Sequence, residues 1–320
     1  MNWRVWGRIT GPHLPVSRVQ IGRATVGPLP VSSYRPPEPV ALNVSIPDAI
    51  SSFVTFAPTI KVESECWILV EGVVASRADY AMERARAEDI AMVVAALSAG
   101  SKEAAYRVQV VSADDGTTGQ TLSATSSSTE FLRAELTAAE LVTARSRMAL
   151  MEDREDLAVA ARQFDRGLRL SDLTAGELTT SAAILAFFQV LEACSRLVPW
   201  SRPDDYDDQR AAILATLRNE LDAKALIKKK AGAVDKASNA LARLDAKYMS
   251  LRIEHGAKEL GLDQHWIERE RELGRFRNSR LGHASNPATL LQMAEWARLD
   301  LAEPLIAHGL ASTMLAAAFG

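Results

Sequence analysis

The sequence predicts a two-domain α+β protein, with an N-terminal mixed α/β sheet domain over residues 1–120 and an all-α helical bundle over residues 128–320. Three observations predict it. The first residues alternate as a strand does. Ser112–Thr129 (SADDGTTGQTLSATSSST) has Leu122 as its only bulky apolar residue and reads as a linker or long surface loop. Beyond it Ala, Leu, Glu and Arg dominate and strand signals vanish. With 320 residues, 48% of them hydrophobic, the chain can bury a sizeable core, and its length favours two domains over one.

At the start, Trp3, Val5 and Ile9 alternate with Arg4, Trp6 and Arg8, the period-two pattern of a strand with two different faces. Six prolines from Pro28 to Pro47 remove backbone donors, so irregular surface chain is expected there, interrupted by one strand at Val40–Ile46. Cys66–Val74 (CWILVEGVV) is a nearly continuous apolar run with β-branched residues, the pattern of a buried strand. Ile90, Val93, Val94 and Leu97 recur at i, i+3, i+4 and i+7, which predicts a helix over Arg77–Leu97 that Gly100 stops. Tyr106–Val111 (YRVQVV) then reads as another strand and completes a β-α-β unit.

In the second domain, Ser127 with Glu130 and Thr174 with Glu177 have capping-box spacing, placing helix starts near 128 and 174. Between them Phe131–Leu168 reads as one long helix or two short ones. The helix over Leu178–Val198 carries Leu185, Phe188, Leu191 and Cys194 on its apolar side and ends before Pro199, which makes it central to the core. Ser201–Asp208 (SRPDDYDD) is an acidic break whose carboxylates suit a solvated turn and helix start rather than a metal site, because they have no partner His. Helical patterning resumes over Asp208–Leu260, with Lys224, Lys228, Lys229, Lys230 and Lys236 gathered near one bend. Charge runs of this kind are usually solvated faces; Lys228, Lys229 and Lys230 are also candidate contacts for RNA phosphates. Helices around Trp266–Leu281 and Ala288–Ala318, the latter with a kink at Pro304, complete the chain.

A net charge of −3 leaves any nucleic-acid surface to a local patch. Cys66 and Cys194 stand far apart without His or Cys at metal-ligand spacing, which argues against a zinc site or a disulfide framework and fits a reducing, cytoplasmic setting. The N-terminus lacks the apolar core of a signal peptide, and no uncharged apolar run reaches the roughly 18 residues of a membrane span, so a soluble protein is expected. Gly-rich phosphate loops, the acylhydrolase nucleophile elbow and the paired His-Glu zinc motif are absent from the sequence. His255, His265 and His308 share no ligand spacing, and surface or packing roles suit them; Trp3 and Trp6 suit strand packing better than base stacking.

The stretch with the most specific chemistry is Arg275-Phe276-Arg277-Asn278-Ser279-Arg280-Leu281-Gly282-His283. Its plain physical reading is a helix end: Arg269, Arg271, Arg275, Arg277 and Arg280 suit the negative end of the helix dipole, and Gly282 stands where a cap belongs. Arg277-Asn278 followed by His283 also resembles the signature of the HEPN superfamily, in which an Arg, commonly followed by Asn or Asp, precedes a His by a short spacer. Here five residues stand between Arg277 and His283. The flanks are similar too, with an apolar helix reading Phe187-Phe188-Gln189-Val190-Leu191-Glu192 before the motif and a long final helix after it. An α/β region ahead of such a domain resembles the Apea-like HEPN proteins of bacterial defence.

The resemblance implies a HEPN-like helical bundle acting as a metal-independent endoribonuclease without a cofactor. In it the ribose 2′-hydroxyl attacks the adjacent phosphodiester, His283 exchanges protons, Arg277 stabilises the phosphorane and Asn278 orients the groups. Arg280 is a second candidate for a phosphate contact, and Glu192 a candidate support for the arginine. Expected partners are RNA, a second copy forming a homodimer with a composite active site, and a phage trigger or an antitoxin. Residues six apart on an ideal helix are rotated by about 240° and separated by roughly 9 Å along the axis. Arg277 and His283 therefore need a helix end or bend near Gly282, or groups from a second chain. The alternative is a non-catalytic HEPN-like RNA-binding or dimerisation module, with Arg277 as a phosphate anchor.

Overall fold

The alternation at the N-terminus becomes β1 (Asn2–Thr10) in a computed structural model that describes residues 1–28, 66–101, 106–114, 119–121, 134–172, 177–223, 227–268 and 302–320. The expected strand at Val40–Ile46, the Ser127–Glu130 capping box, Thr174 and Lys224 lie outside the described residues. The chain divides into two compact units, Met1–Ser98 with Ala104–Asp153, and Ala99–Glu103 with Arg154–Gly320.

In the first unit β1 is flanked by β5 (Cys66–Val73) and β6 (Arg107–Asp114), running antiparallel to both, with Val5 opposite Val70 on one side and Ala113 on the other. β3 (Val19–Ile21), β4 (Ala24–Pro28) and β7 (Gly119–Thr121) extend this into a six-stranded sheet of order β3-β4-β5-β1-β6-β7. The expected β-α-β unit is thus split: β5 and β6 run the same way, but the first strand of the chain lies between them. The sheet is antiparallel at every pairing rather than mixed, and the one parallel pair among the described residues is the small β2 (His13–Leu14) with β8 (Ala134–Glu135). Part of the expected linker is also strand, because Ser112–Asp114 belong to β6 and pair with β7. An edge pairing made by backbone hydrogen bonds does not need apolar side chains, so its polar composition reads as loop.

Gly22, at φ +55°, opens the two-residue turn between Ile21 and Ala24, where a hairpin of matching twist needs positive φ. The register shifts between Trp6 and Gly7, leaving Val111 as the extra residue of a bulge. Val5, Ile9, Val26, Ile68, Val70 and Val108 are buried on one face. Trp3 and Trp6 are only 6% and 4% exposed, which makes both packing residues. The helix after β5 runs as α1 (Ala78–Arg84), a π turn over Ala85–Asp89, and α2 (Ile90–Ser98), whose residues are nearly all buried. α1 meets β1, α2 meets β6, and α3 (Ala138–Asp153) packs on α2 and β3. The two units divide between Asp153 and Arg154, so α3 counts with the sheet, although its composition matches the helical part.

The second unit contains α4 (Glu155–Asp172), α5 (Glu177–Ser195), α6 (Asp205–Asp222), α7 (Ile227–Glu259) and α8 (Ala302–Phe319) among its described residues. The break between α3 and α4 falls at Arg154, giving two helices where one long or two short ones were expected. Leu157, Ala160, Ala161, Phe164 and Leu168 form the buried stripe of α4 at helical spacing. α5 is the central helix, with Ile184, Phe187, Phe188, Val190, Leu191 and Cys194 each buried. Leu185, expected on its apolar side, is instead 37% exposed. It shares a stripe at i, i+4, i+7 and i+11 with exposed Gln189, half-buried Glu192 and exposed Arg196, so it lies on the outer face. Pro304 lies in the first described turn of α8.

α3 starts with a capping box that ties into the small parallel pair. The Thr137 amide and hydroxyl both donate to Glu140 Oε2 at 2.8 Å, and the Glu140 amide donates to Thr137 Oγ1 at 3.2 Å. Glu140 Oε1 pairs with His13 Nδ1, and the Tyr106 hydroxyl donates to the His13 carbonyl at 2.7 Å. Burial by itself raises the Glu140 carboxyl, but the bonds from Thr137 and His13 outweigh it and hold the group below its ordinary value. A depressed carboxylate contributes stability that is present above its unfolded value and lost as pH falls through its folded one. Glu140→Gln should therefore lower stability at neutral pH in urea titrations, with the gap to wild type closing as pH drops below 4.5. A gap independent of pH would mean that the carboxylate charge contributes nothing.

Candidate functional site

Arg277, Asn278, Arg280 and His283 fall within residues 269–301, outside the described residues, and the structure bears on their flanks. The upstream flank is built by a turn that the sequence Gly261-Leu262-Asp263 dictates. Gly261 sits at φ +78°; its amide donates to the Lys258 carbonyl at 3.0 Å and the Leu262 amide donates to the Ala257 carbonyl at 2.9 Å. These two bonds form a Schellman cap, with buried Leu262 and Ala257 in the positions of its apolar contact. Asp263 then caps the next helix, its Oδ1 accepting from the Trp266 amide at 3.1 Å. Residues 264–268 are helical and lead into the motif-bearing segment.

Trp266 is seated on α8. A Cβ placed on Gly309 would lie 3.1 Å from the Trp266 ring, so the glycine provides the space the indole occupies. Deeper in the unit, His308 is 8% exposed, with its ring stacked on Phe164 at 5.6 Å and edge-on to Phe187 at 5.5 Å. It is a core histidine, as its isolated position in the sequence suggested. His255 Nε2 lies 3.2 Å from the Pro199 carbonyl, and the His265 ring is 5.6 Å from that of Trp266. No group of three or more His, Cys, Asp or Glu among the described residues could hold a metal ion. Both cysteines are buried and free, and burial pushes the Cys194 thiol up to about 12, which leaves it protonated and unreactive.

Lys228 and Lys229 are exposed and Lys230 half-buried in the first turn of α7. Some thirty residues of helix, about 45 Å at the rise of an α-helix, separate this cluster from the α7 cap. Glu192, the candidate support for an active-site arginine, is half-buried on the outer stripe of α5.

Sequence reasoning missed a polar cross-brace between α6 and α7. The Tyr206 hydroxyl donates to Asp245 Oδ1 at 2.6 Å, and the Tyr248 hydroxyl donates to Asp205 Oδ1 at 2.7 Å. The two rings meet edge to face at 4.7 Å, over a small core with Leu244 against Trp200 and Ile213. The bond to Asp245 raises the Tyr206 hydroxyl pKa, and that to Asp205 pushes Tyr248 up to about 12. The signal was present as Asp205-Tyr206 and Asp245-x-x-Tyr248. Only knowing that the two helices face each other turns it into a brace. Asp205, read as part of a solvated turn, is thus a structural acceptor.

Comparison with known proteins finds no matching family model, no similar curated protein and no similar solved structure. No helix among the described residues is long and apolar enough to cross a membrane.

The Trp266 seat can be tested by double-mutant cycle. Gly309→Leu should destabilise by about 1–3 kcal/mol through overpacking, read as the shift of the urea midpoint, and Gly309→Ala by less. In a Trp266→Ala background the cost of Gly309→Leu should fall. Equal costs in both backgrounds would show that the leucine strains something other than the indole.

Proposed function

We propose that the chain is a HEPN-type, metal-independent endoribonuclease. The single observation that carries the reading is the succession Arg277-Asn278 and His283 in the helical half of the chain. Supporting it are the mostly helical C-terminal unit, the capped helix that leads into the motif segment, and the apolar helix α5 ahead of it. His283 removes the proton of the ribose 2′-hydroxyl, and the 2′-oxygen forms a bond to phosphorus. Arg277 neutralises the added charge on the phosphorane, a task suited to a permanently charged, planar set of donors, while Asn278 orients the phosphate and Arg280 holds it. The bond to the 5′-oxygen breaks, that oxygen takes up a proton, and the products are a 2′,3′-cyclic phosphate and a 5′-hydroxyl. DNA lacks the attacking hydroxyl and is not cleaved. Two copies supply the composite site, and the sheet-bearing unit recognises the trigger, substrate or partner that sets the activity, in a role fitting antiphage abortive infection.

The test is expression of wild type, Arg277→Ala and His283→Ala in bacteria, with sequencing of RNA 5′-hydroxyl ends. New ends should appear with wild type and vanish in both variants, each loss amounting to about 10²-fold or more in rate. Co-expressing the two inactive variants should restore part of the activity if two chains build one site. Folded wild type that leaves RNA intact both alone and under phage challenge would overturn the proposal.

A further inference from the structure

The hairpin of α6 and α7 carries a charged surface that the three lysines at the start of α7 only begin. Its helices run antiparallel, since the end of α6 at Asp222 and the start of α7 at Ile227 are five residues apart while Tyr206 bonds Asp245. Buried Ala233, Ala237, Leu244 and Tyr248 mark the side of α7 that faces α6. At about 100° per residue, Lys229, Lys236, Arg243 and Lys247 fall within about 40° of one another, roughly a quarter-turn round from that side. All four are exposed. They form a straight stripe about 27 Å long at the helical rise. Lys230 turns toward α6 and is half-buried, and Lys228 turns away from it, so only Lys229 of the three neighbouring lysines joins the stripe.

The stripe is electrostatically uncompensated. No carboxylate among the described residues pairs with any of the four cations. Lys247 lies over the Tyr248 ring at 5.4 Å. Asp235 and Asp245, the acids of this stretch of α7, fall about 100° and about 180° away from the stripe. The next position in line is Glu254, which holds Lys258 at 2.6 Å. On the flank of α6 beside the stripe, Asp205 is occupied by bonds from Tyr248 and Gln209, and Glu220 stands nearer the tip. A chain of net charge −3 thus concentrates positive charge along one line.

The surroundings of the stripe decide what it fits. An interfacial helix carries its cations beside an apolar face, but exposed Val234 and Ile227 lie on the opposite flank of α7. A protein partner needs an apolar centre to its interface, and the positions between the cations on this face are Gly232 and Ala240. A polymer with regularly repeated negative charge needs neither. We infer that this face of α7 binds the phosphodiester backbone of a nucleic acid, with Lys229, Lys236, Arg243 and Lys247 contacting its phosphates. Phosphate contacts read neither sequence nor the 2′-hydroxyl, so RNA and DNA are bound alike. The inference therefore rests on the surface of α7 and not on the nuclease reading.

The test is fluorescence anisotropy of the full-length chain with single-stranded RNA and DNA oligonucleotides of one length and sequence, titrated from about 50 to about 200 mM salt. RNA is also probed with the His283→Ala chain, so that cleavage does not confound binding. Four phosphate contacts give a slope of log affinity against log salt of about −3. Lys236→Ala with Arg243→Ala should weaken binding of both probes by about tenfold or more and flatten that slope by about 1.4. Arg210→Ala with Arg218→Ala removes the same charge from the other flank of the hairpin and should leave affinity nearly unchanged, while Glu220→Lys should tighten binding. Equal losses from the two pairs of substitutions would mean that net charge alone attracts the probes and would overturn the inference. So would undetectable binding at the lower salt, or a slope that the stripe variant leaves unchanged. Binding to phosphatidylserine vesicles that the stripe variant abolishes, with both oligonucleotides unbound, would assign the face to a membrane instead. Intact RNA together with binding that depends on the stripe would sink the nuclease reading and leave this inference standing.

Discussion

The helical unit depends on the closeness with which two neighbours reach α5. A Cβ at Gly167 would stand 2.5 Å from the Phe187 ring, and one at Gly256 would stand 2.9 Å from the Ser195 Cα. Neither distance is sterically allowed, so α4 and α7 lie where they do only because both positions are glycine. The consequence runs outward. With α7 fixed at Gly256, its cap at Gly261 and the Asp263 start of the next helix follow within a few residues, and Trp266 is delivered to the space left by Gly309 on α8. The same fixing leaves the other half of α7 with α6 as its main support.

The elements legible in the sequence were those in which a local pattern and a long-range contact agree. β5 was readable because the apolar run Cys66–Val70 has no other favourable fate than burial, and the helix of α1 and α2 because its apolar residues repeat at helical spacing. Strand order was not readable. Periodicity reports which face of a strand is buried but not which strand lies beside it, so nothing local places β1 between β5 and β6. The β3–β4 hairpin was missed for a different reason. Its strands are short, and the informative residue is Gly22, whose positive φ makes the turn. Leu185 was misplaced because one apolar position between two stripes fits either face until the neighbouring helices choose.

The candidate site was legible as chemistry and hardly at all as geometry. Arg277, Asn278 and His283 are residue types that fit phosphodiester cleavage, with an acid-base near neutrality, a fixed positive fork and an amide. Their spacing cannot tell whether a bend or a second chain brings arginine and histidine together. The lysine cluster is likewise legible as charge rather than as a site: Lys228 and Lys229 are exposed at the start of α7, where a solvated face and a phosphate contact share one sequence pattern.

The hairpin of α6 and α7 shows what a two-helix arm needs to be stable. A two-helix seam lined on one side by alanine buries little apolar area, and such hairpins need added interactions to hold together. Here the reciprocal Tyr206–Asp245 and Tyr248–Asp205 bonds supply them at the base, where the rings also meet edge to face. Nothing comparable braces the outer half among the described residues, where Leu217 and Leu221 stay half-exposed and Val234 and Ile227 face outward. Among the described contacts the α6–α7 hairpin is therefore held at its base rather than along its length.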